Sequence, residues 1–240
     1  MKTIFTVIFL SLSLSVFAQS NFYKISVGGG AGITQSFADL KKHDFGLAGY
    51  VTADYLFTPF VSLGLEVQAG QINGGDKQTD PNHRQFINTY KSVTANGKLY
   101  LGALTDYEHS EFLSAIKGLY AGAGLGLIQN KVSNVRVKPY QDGTTDANSY
   151  VFPGENQSKE ITVPLNLGIN FYLADQNGAY RYVLNFNYQA NITLGEGLDG
   201  YDDSTIRLVN GRPDIYTYFS IGIRYHLGPI GLSKKTFRRY

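Results

Sequence analysis

The stretch Tyr182–Ile192 reads YVLNFNYQANI. Leu184, Phe186, Tyr188, Ala190 and Ile192 share one parity, and Asn185, Asn187, Gln189 and Asn191 share the other. Successive side chains of an extended chain point to opposite faces, so this period of two predicts a strand with an apolar face and an amide face. A helix would scatter the four amides around its axis. The composition of the polar face matters most. A soluble barrel keeps its apolar face inside and shows water a face dense in Lys, Glu and Asp. Asn and Gln instead suit a crowded polar interior, with the apolar face turned outward to lipid.

The same alternation recurs seven more times. It runs from Tyr23 to Thr34, Leu47 to Tyr55, Val61 to Gly70, Val93 to Leu101, Leu119 to Leu127, Ile161 to Tyr172 and Tyr216 to Leu227. Each run approaches the 9–11 residues that a tilted strand needs to cross a membrane. The links alternate in length. Those around 35–45, 73–87, 133–157 and 195–212 are long and polar, and those around 58–60, 103–115 and 174–179 are shorter. Long loops at one rim and short turns at the other are the rhythm of an outer-membrane barrel, with both termini on the short-turn side. The link 103–115 is long enough for a helical turn through 110–115. Gln129–Lys131 and Asn134–Lys138 can carry strands beyond the membrane, with Ser149–Phe152 as a pairing partner. Pro164 inside a strand predicts a bulge or local break, because proline cannot donate to the ladder.

The 240 residues include 27 Gly, 18 Tyr and 15 Phe but no Cys and no Trp, and the net charge is +2. Without Cys there is no disulfide, thiol nucleophile, lipoprotein anchor or thiolate metal site. The weak net charge argues against nucleic acid as a partner. Lys2, the apolar run Thr3–Phe17 and the small residue Ala18 before Gln19 form a secretory signal pattern. The run is shorter than the roughly 20 residues of a transmembrane helix. The resulting division is a signal peptide over 1–18, a barrel over 19–227 and a basic periplasmic tail over 228–240. The tail carries Lys234, Lys235, Arg238 and Arg239 and is expected to be solvated.

The chain therefore resembles the small bacterial outer-membrane β-barrel proteins, the OmpA transmembrane-domain and OmpX-like group of porin-family barrels. Members of that group often close the last strand with a polar residue, Gly two on, and aromatic or apolar residues five and seven on, which the barrel-assembly machinery reads. Ser220, Gly222, Tyr225 and Leu227 match the spacing, although here thirteen residues (228–240) follow. The resemblance implies an all-β, eight-stranded antiparallel up-and-down transmembrane barrel in the bacterial outer membrane. Its partners would be outer-membrane lipid, the assembly machinery during insertion, and an extracellular ligand held by the long loops. It implies a monomer without cofactor or metal.

Parity places Lys24, Asp54, Glu66, Lys98, Arg181 and Arg224 on the lumen face, most of them near the short-turn rim. Buried charges need partners, so these predict an ion-pair layer that plugs that half of the barrel. Gly28, Gly30 and Gly32 are expected beside Tyr216 and Tyr218, whose rings would cover the glycine backbone. Tyr23, Phe57, Phe60, Tyr172, Tyr180 and Tyr225 are candidates for the interfacial aromatic girdles. The triplet His109-Ser110-Glu111 and the pairs His43/Asp44 and Asp80/His83 offer catalytic residue types, but adjacent residues rarely converge on one point, so they are read as solvated loop groups. Four scattered His lack metal-ligand spacing. The functional expectation is a non-enzymatic barrel with a structural, surface-recognition or adhesion role and a plugged lumen. The alternatives are a narrow small-solute channel, a component of a secretion or envelope-assembly machine, and a lipid-modifying barrel enzyme.

Overall fold

The computed structural model describes residues 20–37, 40, 42–80, 83–135, 137–138, 144–195, 197–201, 214–235 and 237. The signal expected over 1–18 lies outside them, as do Arg238 and Arg239. Eight strands, β1 (Ser20–Phe37), β2 (Phe45–Thr58), β3 (Val61–Gly75), β4 (Gln85–Tyr100), β5 (Leu119–Asn134), β6 (Gln157–Ala174), β7 (Tyr180–Thr193) and β8 (Ile215–Ser233), follow one another around a closed ring. All neighbours are antiparallel, and β1 meets β8 to seal the sheet. Each strand has a neighbour on both sides along most of its length, so the ring closes the backbone ladder that a flat sheet would leave open to the bilayer.

The barrel is apolar outside and polar inside. Leu47 and Ile223 are 72% and 65% exposed, while Asn185 and Gln189 are 0% exposed. That inversion is what a lipid solvent selects, because the outward face gains nothing from charge and the lumen can satisfy amides internally. The strands are 14 to 19 residues long. At roughly 3.3 Å per residue the shortest measures about 46 Å. Even tilted it exceeds the ~25 Å apolar band of such barrels. The surplus stands above the long-loop rim, where Val137 bridges Val151 and the Lys138 N–H donates to the Tyr150 carbonyl (2.8 Å).

Three irregularities depart from simple parity. At Pro164 the β5–β6 pairing lapses opposite Gly124 and Leu125, with the same register on both sides, while β6–β7 pairing continues through Asn191. This is a local break without a bulge, because no residue is inserted. At the start of β7, Tyr182 pairs with Leu173 and Tyr180 with Ala174, leaving Arg181 as the extra residue of a bulge. On β8, Gly228 and Pro229 stand opposite the single residue Lys24, and the strand then resumes as far as Ser233. Gly228 takes a φ of 84°, open to Gly at little cost, and Pro229 at the bulge has no ladder bond to lose. The barrel therefore does not end at Leu227, and the segment to Ser233 is strand rather than solvated tail. The motif Ser220, Gly222, Tyr225 and Leu227 sits inside β8, ahead of that bulge.

The register also corrects the aromatic–glycine expectation. Gly30 pairs with Gly222, whereas Tyr218 and Tyr216 lie opposite Thr34 and Ser36. The ring over these glycines is Tyr50 of β2, so close that a Cβ at Gly30 would stand 2.8 Å from Tyr50 Cε1. Among the girdle candidates, Tyr23, Phe57 and Tyr225 stay at the outer rim, but Phe60 is buried and Tyr172 and Tyr180 pack with it inside the mouth. The link between β4 and β5 forms two short helices, α1 (Leu101–Leu104) and α2 (Glu111–Ile116). Ser110 caps α2 by accepting from the Leu113 N–H (3.4 Å), and Glu111 sits at the positive end of its dipole.

Candidate functional site

The lumen holds the polar groups that the alternating pattern supplies, in three tiers. Nearest the short turns, Asp54 of β2 accepts from Lys98 Nζ of β4 (2.9 Å) and from Arg224 Nη1 of β8 (2.7 Å). Thr52 Oγ1 donates to the same carboxylate at 3.3 Å. All three charged side chains are at most 3% exposed. Ionic pairs this dry persist only because hydrogen bonds replace lost hydration, and deleting one partner of such a pair costs about 3–5 kcal/mol.

The other residues expected in this layer are placed differently. Glu66 lies deeper in the barrel, where its Oε1 accepts from Gln68 Nε2 (2.7 Å) and Gln189 Nε2 (3.2 Å). Lys24 is half-buried beside the Gly228–Pro229 bulge. Arg181 is not in the lumen. The bulge turns it outward, where its guanidinium donates to the hydroxyls of Tyr23 and Tyr225 and pairs with Asp175 (3.0 Å). The layer brings together Asp54, Lys98 and Arg224, and with Glu66 the deep lumen carries two acids and two bases.

A chain of amides joins Glu66 to that layer. Gln189 donates to Asn166 (3.1 Å), Asn187 to Asn166 (3.0 Å), Tyr120 to Asn187 (3.0 Å) and Asn185 to Tyr120 (3.0 Å). Arg224 Nη2 closes the path on Asn185 Oδ1 at 3.4 Å. Above this tier Tyr50 packs edge-on to Tyr218 (6.2 Å) and Tyr90 tilts against Tyr216 (5.4 Å). Among the charged tier, Ser26, Ser62 and Arg224 line a cavity of about 10 Å3, room for roughly one water.

Apolar clusters of described residues sit at both mouths. At the long-loop end Leu40, Ile72, Phe86, Val132, Phe152, Leu198 and Tyr201 are buried together. The Tyr201 hydroxyl donates to the carbonyls of Val135 (2.9 Å) and Gln85 (3.3 Å), and burial pushes this phenol up to about 12. Lys42 and Asp76 pair on the surface of that end at 2.9 Å. The Gln78 N–H and Lys42 hold the Asp76 carboxyl below the usual aspartate value.

At the short-turn end Phe22, Phe60, Tyr107 and Phe237 fill the opening. Phe237 stands edge-on to Phe60 (5.4 Å), Tyr172 (5.0 Å) and Tyr180 (5.1 Å). Lys235 Nζ donates to the carbonyls of Gly102 (2.8 Å), Ala103 (3.2 Å) and Thr105 (2.8 Å), all near the end of α1. Lys235 and Phe237 thus dock into the barrel mouth. Parity could not locate Lys117, Lys235 and Phe237, because they lie in a link and a tail. The amides of the middle tier were legible as the polar face of β7.

The candidate catalytic groups do not converge. Ser110 is the cap of α2, and His109 is 86% exposed at 3.4 Å from Asp106. His83 Nδ1 contacts the Lys77 carbonyl, and His43 stacks on Phe37. Among the described residues, no three His, Asp or Glu side chains are placed to hold a metal ion.

Neisserial surface protein A aligns over 85% of this chain and 97% of its own, at 12% identity and a TM-score of 0.48. Ail, the attachment invasion locus protein of Yersinia pestis, aligns over 86% and 99% at 12% identity and a TM-score of 0.46. OprG from Pseudomonas aeruginosa aligns over 86% and 98% at 11% identity and a TM-score of 0.38. Likeness this distant carries no argument about activity. No curated protein matches the chain. The sequence profile of the outer membrane protein beta-barrel domain matches residues 4–209, most of the chain. Together with the eight-stranded ring and its outward apolar face, that match makes this chain a member of the outer membrane protein beta-barrel domain family.

Proposed function

We propose that the protein is a non-enzymatic outer-membrane barrel that works as a rigid mount for a surface-recognition platform. Its short turns and both mature termini face the periplasm and its long loops face outward. The observation that carries this reading is a lumen filled at every level, from the Phe237 cluster through the Asp54 layer and the amide chain to the Tyr201 cluster. A lumen occupied by side chains at each of these levels offers solutes no path, and an eight-stranded barrel is only just wide enough for its side chains. At the outer end the described loop residues are tied together by the Tyr201 hydroxyl and the Val137–Val151 bridge, and Tyr150 and Val151 remain exposed there. Binding residues are commonly carried on loops positioned by a rigid scaffold. One chain completes the ring by pairing β1 with β8, so no second copy is needed to close it.

Two experiments test the reading. The chain has no Cys, so Ala147→Cys and Gln176→Cys report the two rims separately. A membrane-impermeant maleimide is expected to label the first on intact cells and the second only after the outer membrane is opened; the reverse pattern overturns the orientation. For recognition, attachment of cells to host or matrix surfaces is expected to fall when the gene is deleted. Wild type should restore it, and the double variant Tyr150→Ser/Val151→Ser should not. Full rescue by that variant would count against the platform.

A further inference from the structure

Lys117, directly after α2, is buried, and its ammonium meets no carboxylate among the described residues. Nζ donates one hydrogen bond, to the Tyr180 hydroxyl at 3.3 Å. It also lies over the rings of Tyr180 (4.8 Å), Tyr107 (5.2 Å) and Phe237 (6.0 Å). Of the three donors of the ammonium, this is the one bonded to a described residue. Rings offset part of a buried charge but supply no acceptor atoms. A buried, incompletely bonded cation is the half of a site that an anionic oxygen completes.

Lys117 lines an open groove of about 1280 Å3 between α2 and the end of β6. The pairing of β5 with β6 ends at Leu119 and Ile169, so β6 beyond that point has no strand on this side, and α2 lies alongside instead. Phe171 and Leu173 form one wall. They continue the outward face of β6 that holds Leu165 and Leu167, and all four are exposed. The groove is therefore continuous with the lipid-facing belt. Glu108 and Glu111 stand on its other wall.

We propose that this groove holds one phosphatidylethanolamine from the leaflet at the short-turn end. Its phosphate would sit on Lys117, an acyl chain along Phe171 and Leu173, and its ammonium toward Glu111. The pairing of one internal cation with the acidic Glu111 on the facing wall matches a zwitterionic headgroup better than an anionic one. Continuity with the belt favours a lipid over a free anion.

The test uses the full mature chain reconstituted in vesicles of phosphatidylethanolamine and phosphatidylglycerol, then released in mild detergent for native mass spectrometry. Wild type is expected to retain one phosphatidylethanolamine per chain. Lys117→Met removes the charge and is expected to lower retention about tenfold, as loss of a charge-assisted hydrogen bond does. Ala115→Trp fills the groove from an exposed position without touching the buried cluster, and should lower retention equally. It keeps the proposal testable if Lys117→Met fails to fold, since both are checked by the heat-dependent mobility of folded barrels. Unchanged retention in Ala115→Trp would overturn the site. Equal retention of phosphatidylglycerol, or displacement of the lipid by excess inorganic phosphate, would overturn the assignment of its occupant.

Discussion

Replacing Asp54 with Asn keeps the shape of the side chain and removes the one anion shared by Lys98 and Arg224. In the wild type that carboxylate accepts at 2.9 Å from Lys98 and 2.7 Å from Arg224, with all three groups nearly inaccessible to water. Each charge-assisted bond contributes about 1.5–3 kcal/mol, and the amide retains a single acceptor oxygen. Among the described residues of the deep lumen, Glu66 would then be the remaining acid for two cations. The loss should fall near 3–5 kcal/mol, the cost of breaking a buried pair by deleting one member. The second substitution Lys98→Met should recover part of that loss by removing one stranded cation, giving a favourable coupling in a double-mutant cycle. Urea unfolding in lipid vesicles, followed by circular dichroism and by the mobility shift of the folded barrel, measures both; with no Trp in the chain, tryptophan fluorescence is not an option. A single variant within about 1 kcal/mol of wild type would refute the reasoning, because it would put the layer in contact with water, where exposed pairs contribute about 0–1 kcal/mol.

Three further outcomes follow from the same structure. Phe237→Ala empties the short-turn mouth and should cost about 3–5 kcal/mol in the same unfolding assay, as for other buried Phe truncations. Gly30→Ala drives a methyl against Tyr50 Cε1 and the Gly222 backbone, and should cost about 1–3 kcal/mol as an overpacked site. The Asp76–Lys42 pair on the long-loop end responds to pH at both extremes. The folded Asp76 carboxyl lies below the ordinary aspartate value of 3.8, so its contribution is present above that pH and fades as pH falls through the lowered folded value. The hydrogen bond to Asp76 raises Lys42 above 10.5, so its contribution is complete below that pH and fades as pH rises through the raised folded value. NMR titration of the Asp76 carboxyl in detergent should show the depression, and 1 M salt should shrink it, because the pair is exposed.

Strand identity was legible because lipid and a crowded lumen impose opposite demands on alternate residues, and YVLNFNYQANI meets both without interruption. Parity then carried Asp54, Lys98 and Arg224 to one place from three distant segments. It failed where a residue is inserted. Arg181 has the lumen parity of its strand, and the bulge that turns it toward Tyr23 and Tyr225 leaves no mark in the residue pattern. Gly228-Pro229 reads as a strand end, since that dipeptide commonly ends one. Its positive φ instead resets the register, and β8 continues to Ser233. Register also governed the glycines. The residue pattern put Tyr216 and Tyr218 over Gly30; the β1–β8 register carries them to Ser36 and Thr34, and the β1–β2 register sets Tyr50 beside Gly30 instead. The docking of Lys235 and Phe237 depends on tertiary contacts with α1 and the β6–β7 turn, so no local pattern announces it.

The closed lumen is the central claim, and current through the intact protein tests it most directly. Full-length mature protein in planar bilayers, at 1 M salt and over a range of voltages, is predicted to show no steady conductance. Asp54→Asn, if it remains inserted, should at most produce brief, noisy openings as the charged layer loosens. Steady, long-lived current steps from the wild-type barrel would contradict the account, because they require a continuous water path where the Asp54 layer, the amide chain and the two apolar clusters leave none.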